Sequence, residues 1–164
     1  MISGKMTNAL NTQLNKEIFS SYLYLSMAAY FEATSFSGFA KWMRLQAAEE
    51  YEHGLKFFDY LTRVGGRVTL EVIEKPKSEW KSPLEIFEES LKHEIFITDS
   101  INELVNLAVE EKDHATKLFL NWFVEEQIEE VDNVRQIIDK FNLLGDSKGS
   151  LFMLDRDMGK RGQK

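Results

Sequence analysis

Four long stretches of this chain repeat apolar residues at alternating three- and four-residue spacing, and each breaks its own seam near the midpoint with a carboxylate. The first runs Leu10, Leu14, Glu17, Ser21, Tyr24; the second Met43, Ala47, Glu50, Gly54, Phe57, Leu61. The third runs Leu84, Phe87, Leu91, Glu94, Thr98, Ile101, Val105, Ala108. The fourth runs Phe119, Phe123, Glu126 or Gln127, Glu130, Val134, Ile137, Phe141. Such spacing places a seam on one face of a helix, where a bundle wants Leu or Ile. A carboxylate taken from water without a partner is costly. Four at matching depth call for a shared counter-charge. In the second stretch His53 follows Glu50 at i+3, so both side chains can reach one point. A lone Glu-x-x-His is common on solvated helix faces; the set of four is not.

The boundaries agree with four helices. Residues near 7–34 lack Gly and Pro, and Ser35-Phe36-Ser37-Gly38 is a turn with Ser37 as the expected N-cap. The second helix is expected to run to Val64 and stop at Gly65-Gly66. Helices of this length reach on the order of 40 Å at ~1.5 Å per residue, and the short turn makes them antiparallel. Residues 66–82 hold Pro76, are closed by Pro83 and carry the alternation Val68, Leu70, Val72, which reads as an extended, strand-like connection. A connection this long can span a bundle and return the chain to its starting end. Ser82-Pro83-Leu84-Glu85 starts a third helix reaching about Glu111, and Asp113 is the expected cap of a fourth that ends before Gly145. A short amphipathic segment, Leu151 to Met158, follows between glycines. The expected fold is all-α: an antiparallel four-helix bundle over 1–145 with one long crossover at about 66–82. Residues 146–164 add a short C-terminal fifth helix and tail to the same domain.

Composition narrows the chemistry. Without cysteine there is no disulfide framework, thiolate zinc site or Fe–S cluster, and a reducing cytoplasm fits. No apolar run is long enough to span a membrane, and the N-terminus lacks an apolar signal core. A net charge of −7 argues against nucleic acid as the main partner and suits a protein that attracts cations.

If the helix midpoints align, Glu17, Glu50, His53, Glu94 and Glu130 converge on one cavity, with Gln127 one turn before Glu130. This oxygen-rich set with one imidazole suits Fe or Mn better than structural zinc. Four carboxylates exceed the needs of one divalent ion and match two metals sharing a bridge.

The pattern Glu17, Glu50-x-x-His53, Glu94, Gln127-x-x-Glu130, together with the crossover and the tail segment, resembles a bacterial non-haem ferritin. The resemblance runs through all four helices and the fifth segment. It implies iron storage and detoxification: a di-iron ferroxidase centre within each subunit oxidises Fe(II) with O2 or H2O2, and ferric mineral collects inside a cage of twenty-four copies. It implies that Glu17, Glu50 and His53 hold one iron and Glu50, Glu94 and Glu130 the second, with Glu50 bridging and Gln127 a weak or outer ligand. Glu49, Glu126 and Glu129 match a third iron site, Tyr24 matches a tyrosine beside the centre, and Trp122 is expected nearby. Relatives that bind haem place Met directly after the first-motif Glu; here Tyr51 stands there, so no haem is expected. Bacterioferritins and reductase-type proteins carry a second Glu-x-x-His on the last helix, where this chain has Gln127-x-x-Glu130.

Plainer readings stand beside these. Glu126 and Glu129 also fit a solvated face, His93 and His114 read as surface or interface residues, and Phe57, Phe58, Phe119 and Phe123 as core packing. The tail charges Lys148, Arg156, Lys160, Arg161 and Lys164 read as a solvated terminus, with a weak phosphate or nucleic-acid contact as the alternative. The rival functions are a catalytically silent, mineral-nucleating bundle subunit, which would lack several of the five ligands, and a di-iron oxygenase. Gly145 and Gly149 further suggest that the fifth segment leaves its own bundle to pack against copies of itself.

Overall fold

The computed structural model describes residues 2–145 and 147–163; Lys164 of the expected tail charges lies outside them. The elements are α1 (Gly4–Ala33), α2 (Ser37–Arg63), α3 (Pro83–Glu110), α4 (His114–Leu144) and α5 (Lys148–Met158). Helix α1 starts earlier than expected because Ser3 caps it, its hydroxyl accepting from the Met6 amide at 3.0 Å. The same hydroxyl donates to Glu111 at 2.6 Å and ties the start of α1 to the end of α3. Ser82 and Asp113 cap α3 and α4 as expected, accepting from the amides of Glu85 and Thr116. Ser37 does not cap α2: it is the first helical residue, and Phe36 takes the cap position without a side-chain bond. At the other end the φ of +77° at Gly65 turns the chain out of the helix.

Helix α1 packs antiparallel to α2 and α3, and α3 packs on α4. The connection 66–82 is extended, yet among the described residues it forms no strand, because no second strand runs beside it. Side chains of α1 hold it instead. Asn11 donates to the Arg67 carbonyl and accepts from the Thr69 amide, Ser26 donates to Lys77 O, and Tyr30 to Trp80 O. From Asn11 to Tyr30 these ties cover about 28 Å of helix.

Two apolar clusters fill the bundle. One gathers Phe31, Phe39, Trp42, Phe87, Val134 and Phe141 around the α1–α2 turn; the other gathers Met6, Leu10, Phe57, Leu61, Ile101, Leu120 and Phe123 at the far end. Phe119 packs partly buried against the second cluster, its ring stacked on Tyr60. Phe58 is not core: it is 39% exposed. One residue past Phe57 it turns about 100° away from the seam.

Helix α5 does not leave its own bundle as expected. It folds back on its own bundle, packing on α2 and α4 with Leu154 and Met158 buried, while Phe152 and Met153 remain exposed. The docking depends on Gly38, where a Cβ would sit 1.7 Å from the Asp155 carbonyl oxygen. The Asp155 carboxylate accepts from the Phe39 amide at 2.8 Å and satisfies an orphan donor in the first turn of α2.

Candidate metal centre

Between the two apolar clusters lies a polar layer built from the middle of all four long helices. Glu17, Glu50, His53, Glu94, Gln127 and Glu130 are all buried there, as the seam positions require. Ligand atoms of Glu17, Glu50 and His53 lie within 4.8 Å of one another, close enough to hold one ion. A second such grouping joins His53, Glu126 and Glu130. His53 is central to both. Its Nδ1 is 3.4 Å from Glu50 and its Nε2 3.8 Å from Glu126.

Glutamines satisfy one side of each carboxylate. Gln13 donates to Glu17 Oε1 at 2.7 Å, and Gln46 donates to Glu50 Oε1 and Glu130 Oε2, both at 2.8 Å. Gln127 donates to Glu94 Oε2 at 3.1 Å, and the Tyr24 hydroxyl donates to the other oxygen of Glu94. Glu17 Oε2 remains. Among the described residues it is the only buried side-chain nitrogen or oxygen without a hydrogen-bond partner. Native structures seldom leave such an atom unsatisfied, and an ion is the partner this donor set suits.

The electrostatics agree. Burial, reinforced by the Glu50 charge, raises Glu17 well above the usual carboxylate range. Burial pushes Glu50 up to about 7. Glu94 and Glu130 rise to about 8, through burial first and then the nearby Glu50 charge. His53 is lowered by burial and thus stays neutral at pH 7 with a lone pair to offer. Tyr24 is raised by burial and by Glu94, so its phenol keeps its proton. A layer of carboxylates that resist ionisation is unfavourable for the empty fold and stands ready to exchange protons for cations.

The expected third set is less gathered. Glu126 reaches His53, while Glu129 is exposed and Glu49 is bonded to Arg161 at 2.5 Å. Trp122 does flank the centre, its ring edge-on to His53 at 5.3 Å between centroids. His93 accepts a role in packing, 2.7 Å from the Ser20 hydroxyl and beside Phe19 and Tyr24. From the sequence alone Gln13 and Gln46 receive no role and Arg161 falls in a solvated terminus, whereas Arg161 packs on Trp42 and pairs with Glu49. The two glutamines each precede a ligand by four residues on the same helix face, a spacing that could have revealed them.

A family model for the ferritin-like domain matches residues 7–144. The chain belongs to the ferritin family. A probable bacterial non-heme ferritin-like protein of Haemophilus influenzae is 43% identical over 97% of this chain and 96% of its own length. The bacterial non-heme ferritin of Bacteroides fragilis is 42% identical over 98% of this chain and all of its own. Among solved structures, an open-pore ferritin of the hyperthermophilic archaeon Archaeoglobus fulgidus superposes with a TM-score of 0.96 at 49% identity, covering 98% of both chains. Iron binding, iron storage and oxidation of Fe(II) follow from ferritin membership. No described helix is long and apolar enough to cross a membrane.

Proposed function

We propose that the buried layer is a ferroxidase centre that takes two Fe(II) per subunit as substrate. Glu17, Glu50 and His53 hold one ion; Glu50, Glu94 and Glu130 hold the other, Glu50 bridging. The single observation that carries this reading is the buried, unpartnered Glu17 Oε2 on a residue whose ligand atoms gather with those of Glu50 and His53 within 4.8 Å. On binding, the ions displace protons from Glu50, Glu94 and Glu130. Each ion gives up one electron, and O2 takes two electrons and two protons to leave as H2O2, itself an oxidant for further Fe(II). The chain's residues hold the ions at fixed spacing, keep water out and take up protons when the ferric product leaves. Gln127 and Tyr24 orient Glu94, and Tyr24 stands close enough to the centre to act in the reaction. Glu126 begins a third site that Glu49 and Glu129 complete once Glu49 leaves Arg161. Twenty-four copies enclose the mineral, in the cytoplasm, without haem, nucleic acid or membrane.

The test is an anaerobic Fe(II) titration followed by a pulse of O2. The rapid phase should consume two Fe(II) per subunit. His53→Ala and Glu130→Ala should slow it by about 100-fold or more, the upper end of what even an outer-sphere partner is worth, and leave helical content intact. Unchanged initial rates in both variants would remove the assignment. A silent mineral-nucleating subunit would show no rapid phase at all.

A further inference from the structure

Beyond α5 the chain turns back over α2 and lays Arg161 against the outside of the metal layer. The guanidinium stacks on the Trp42 ring at 4.4 Å and donates to the Trp42 carbonyl at 3.3 Å. Its Nη2 donates to Gln46 Oε1 at 3.0 Å and to Glu49 Oε2 at 2.5 Å. Gln46 is fully buried and its Nε2 contacts Glu50 and Glu130, so one amide separates the tail cation from two carboxylates of the centre.

That amide can sit in two orientations. Arginine can only donate, so Arg161 requires the amide oxygen to face it and thereby turns the NH2 group inward. The NH2 then occupies one oxygen of Glu50 and one of Glu130. Glu50 Oε2, 3.4 Å from His53 Nδ1, is left on the His53 side without a glutamine donor. The opposite flank is built alike. Lys16 donates to Ser100 at 2.6 Å, Ser100 to Gln13 Oε1 at 2.5 Å, and Gln13 to Glu17 Oε1, leaving Glu17 Oε2 free. On both sides a donor chain that begins at a cation fixes a buried glutamine, and the glutamine decides which carboxylate oxygen remains available.

We propose that Arg161 is a positioning residue of the ferroxidase centre, acting through the Gln46 amide on Glu50 and Glu130. The C-terminal segment is therefore part of the centre's outer frame as well as a cover for α2. Without Arg161 the amide can turn over, present its oxygen to the carboxylates and release both from their bound orientation. The inference rests on the ligand set proposed above.

Anaerobic Co(II) titration of the assembled apo-protein, read by its visible bands, separates the two claims. Glu50→Ala should abolish the bands of the buried site; bands that survive it would remove the ligand assignment and this inference together. With that control met, Arg161→Gln should change the Co(II) spectrum and lower the initial Fe(II) oxidation rate by about tenfold, within the range for outer-sphere partners, with helical content unchanged. Gln46→Met should produce the same changes, and Arg161→Gln should add nothing in its background. A tail that merely docks would shift thermal stability and leave the Co(II) bands where they were. Bands and rate equal to those of the parent in Arg161→Gln, or an undiminished effect of that substitution in the Gln46→Met background, would overturn the proposal.

Discussion

The ends of the bundle and its waist follow opposite rules. At the ends Phe31, Phe39 and Phe87, or Phe57 and Phe123, meet ring against ring and leave no exposed surface to speak of. Burying each such ring contributes roughly 1.5–3 kcal/mol. The waist has the same burial and the same helical register, yet it is lined by Glu17, Glu50, Glu94 and Glu130. One oxygen there finds no partner, and all four carboxylates are pushed towards neutrality. The ends hold the four helices together strongly enough to carry an unfavourable waist, and in the proposed function a bound ion relieves it. In the proposed function, fold and chemistry are thus separated by depth along one bundle.

Substitutions at the two levels should therefore differ in sign. Phe57→Ala, in the stacked pair with Phe123, should cost about 3–5 kcal/mol of stability, read as a loss in the denaturant midpoint of the apo-protein. Glu17→Met, matched in size, removes the unpartnered oxygen. It should leave the apo-protein as stable or up to about 4 kcal/mol more stable, while a binding isotherm for Zn(II) loses a buried site. A marked loss of apo stability in Glu17→Met would mean that the layer is structural.

The pH dependence sharpens the contrast. The folded pKa values, about 7 for Glu50 and about 8 for Glu94 and Glu130, lie above the ordinary 4.5, so the folded protein holds extra protons between those limits. The stability contributed by these groups is fully present below about 4.5 and is lost as pH rises towards 8. Thermal midpoints of the apo-protein should fall from pH 5 to 8 by this mechanism. Zn(II)-loaded protein should lack that fall, and loading at pH 7 in weak buffer should release protons. The smallest effect belongs to the caps. Asp113→Ala should cost about 1 kcal/mol and leave the rapid Fe(II) oxidation rate as it was.

How much of this was legible in the chain follows the same division. Helix seams, the crossover, the Ser82 and Asp113 caps and the depth of the four carboxylates are local patterns with a fixed period, and they read directly. Three misplacements were also local: Ser37 opens α2 instead of capping it, Phe58 lies one residue outside the seam, and Ser20 rather than Ser21 is the fully buried serine of α1. What could not be read joins distant positions. Arg161 meets Gln46 across 115 residues, and α5 returns to α2 through Gly38 and Asp155, 116 residues apart for the amide contact beside it. The glycines near α5 suggested a departing segment because their flexibility says nothing about direction. The bare Cα of Gly38 does, once the partner carbonyl is in view.

In the proposed function the waist is unfavourable when empty because it is built to be filled with iron. Diffraction at the iron edge from crystals soaked anaerobically in Fe(II) tests it most directly. Two anomalous peaks per subunit are expected inside the layer, one against Glu17, Glu50 and His53 and one against Glu50, Glu94 and Glu130. An empty layer, with peaks only at exposed acidic residues such as Glu129, would contradict this reading.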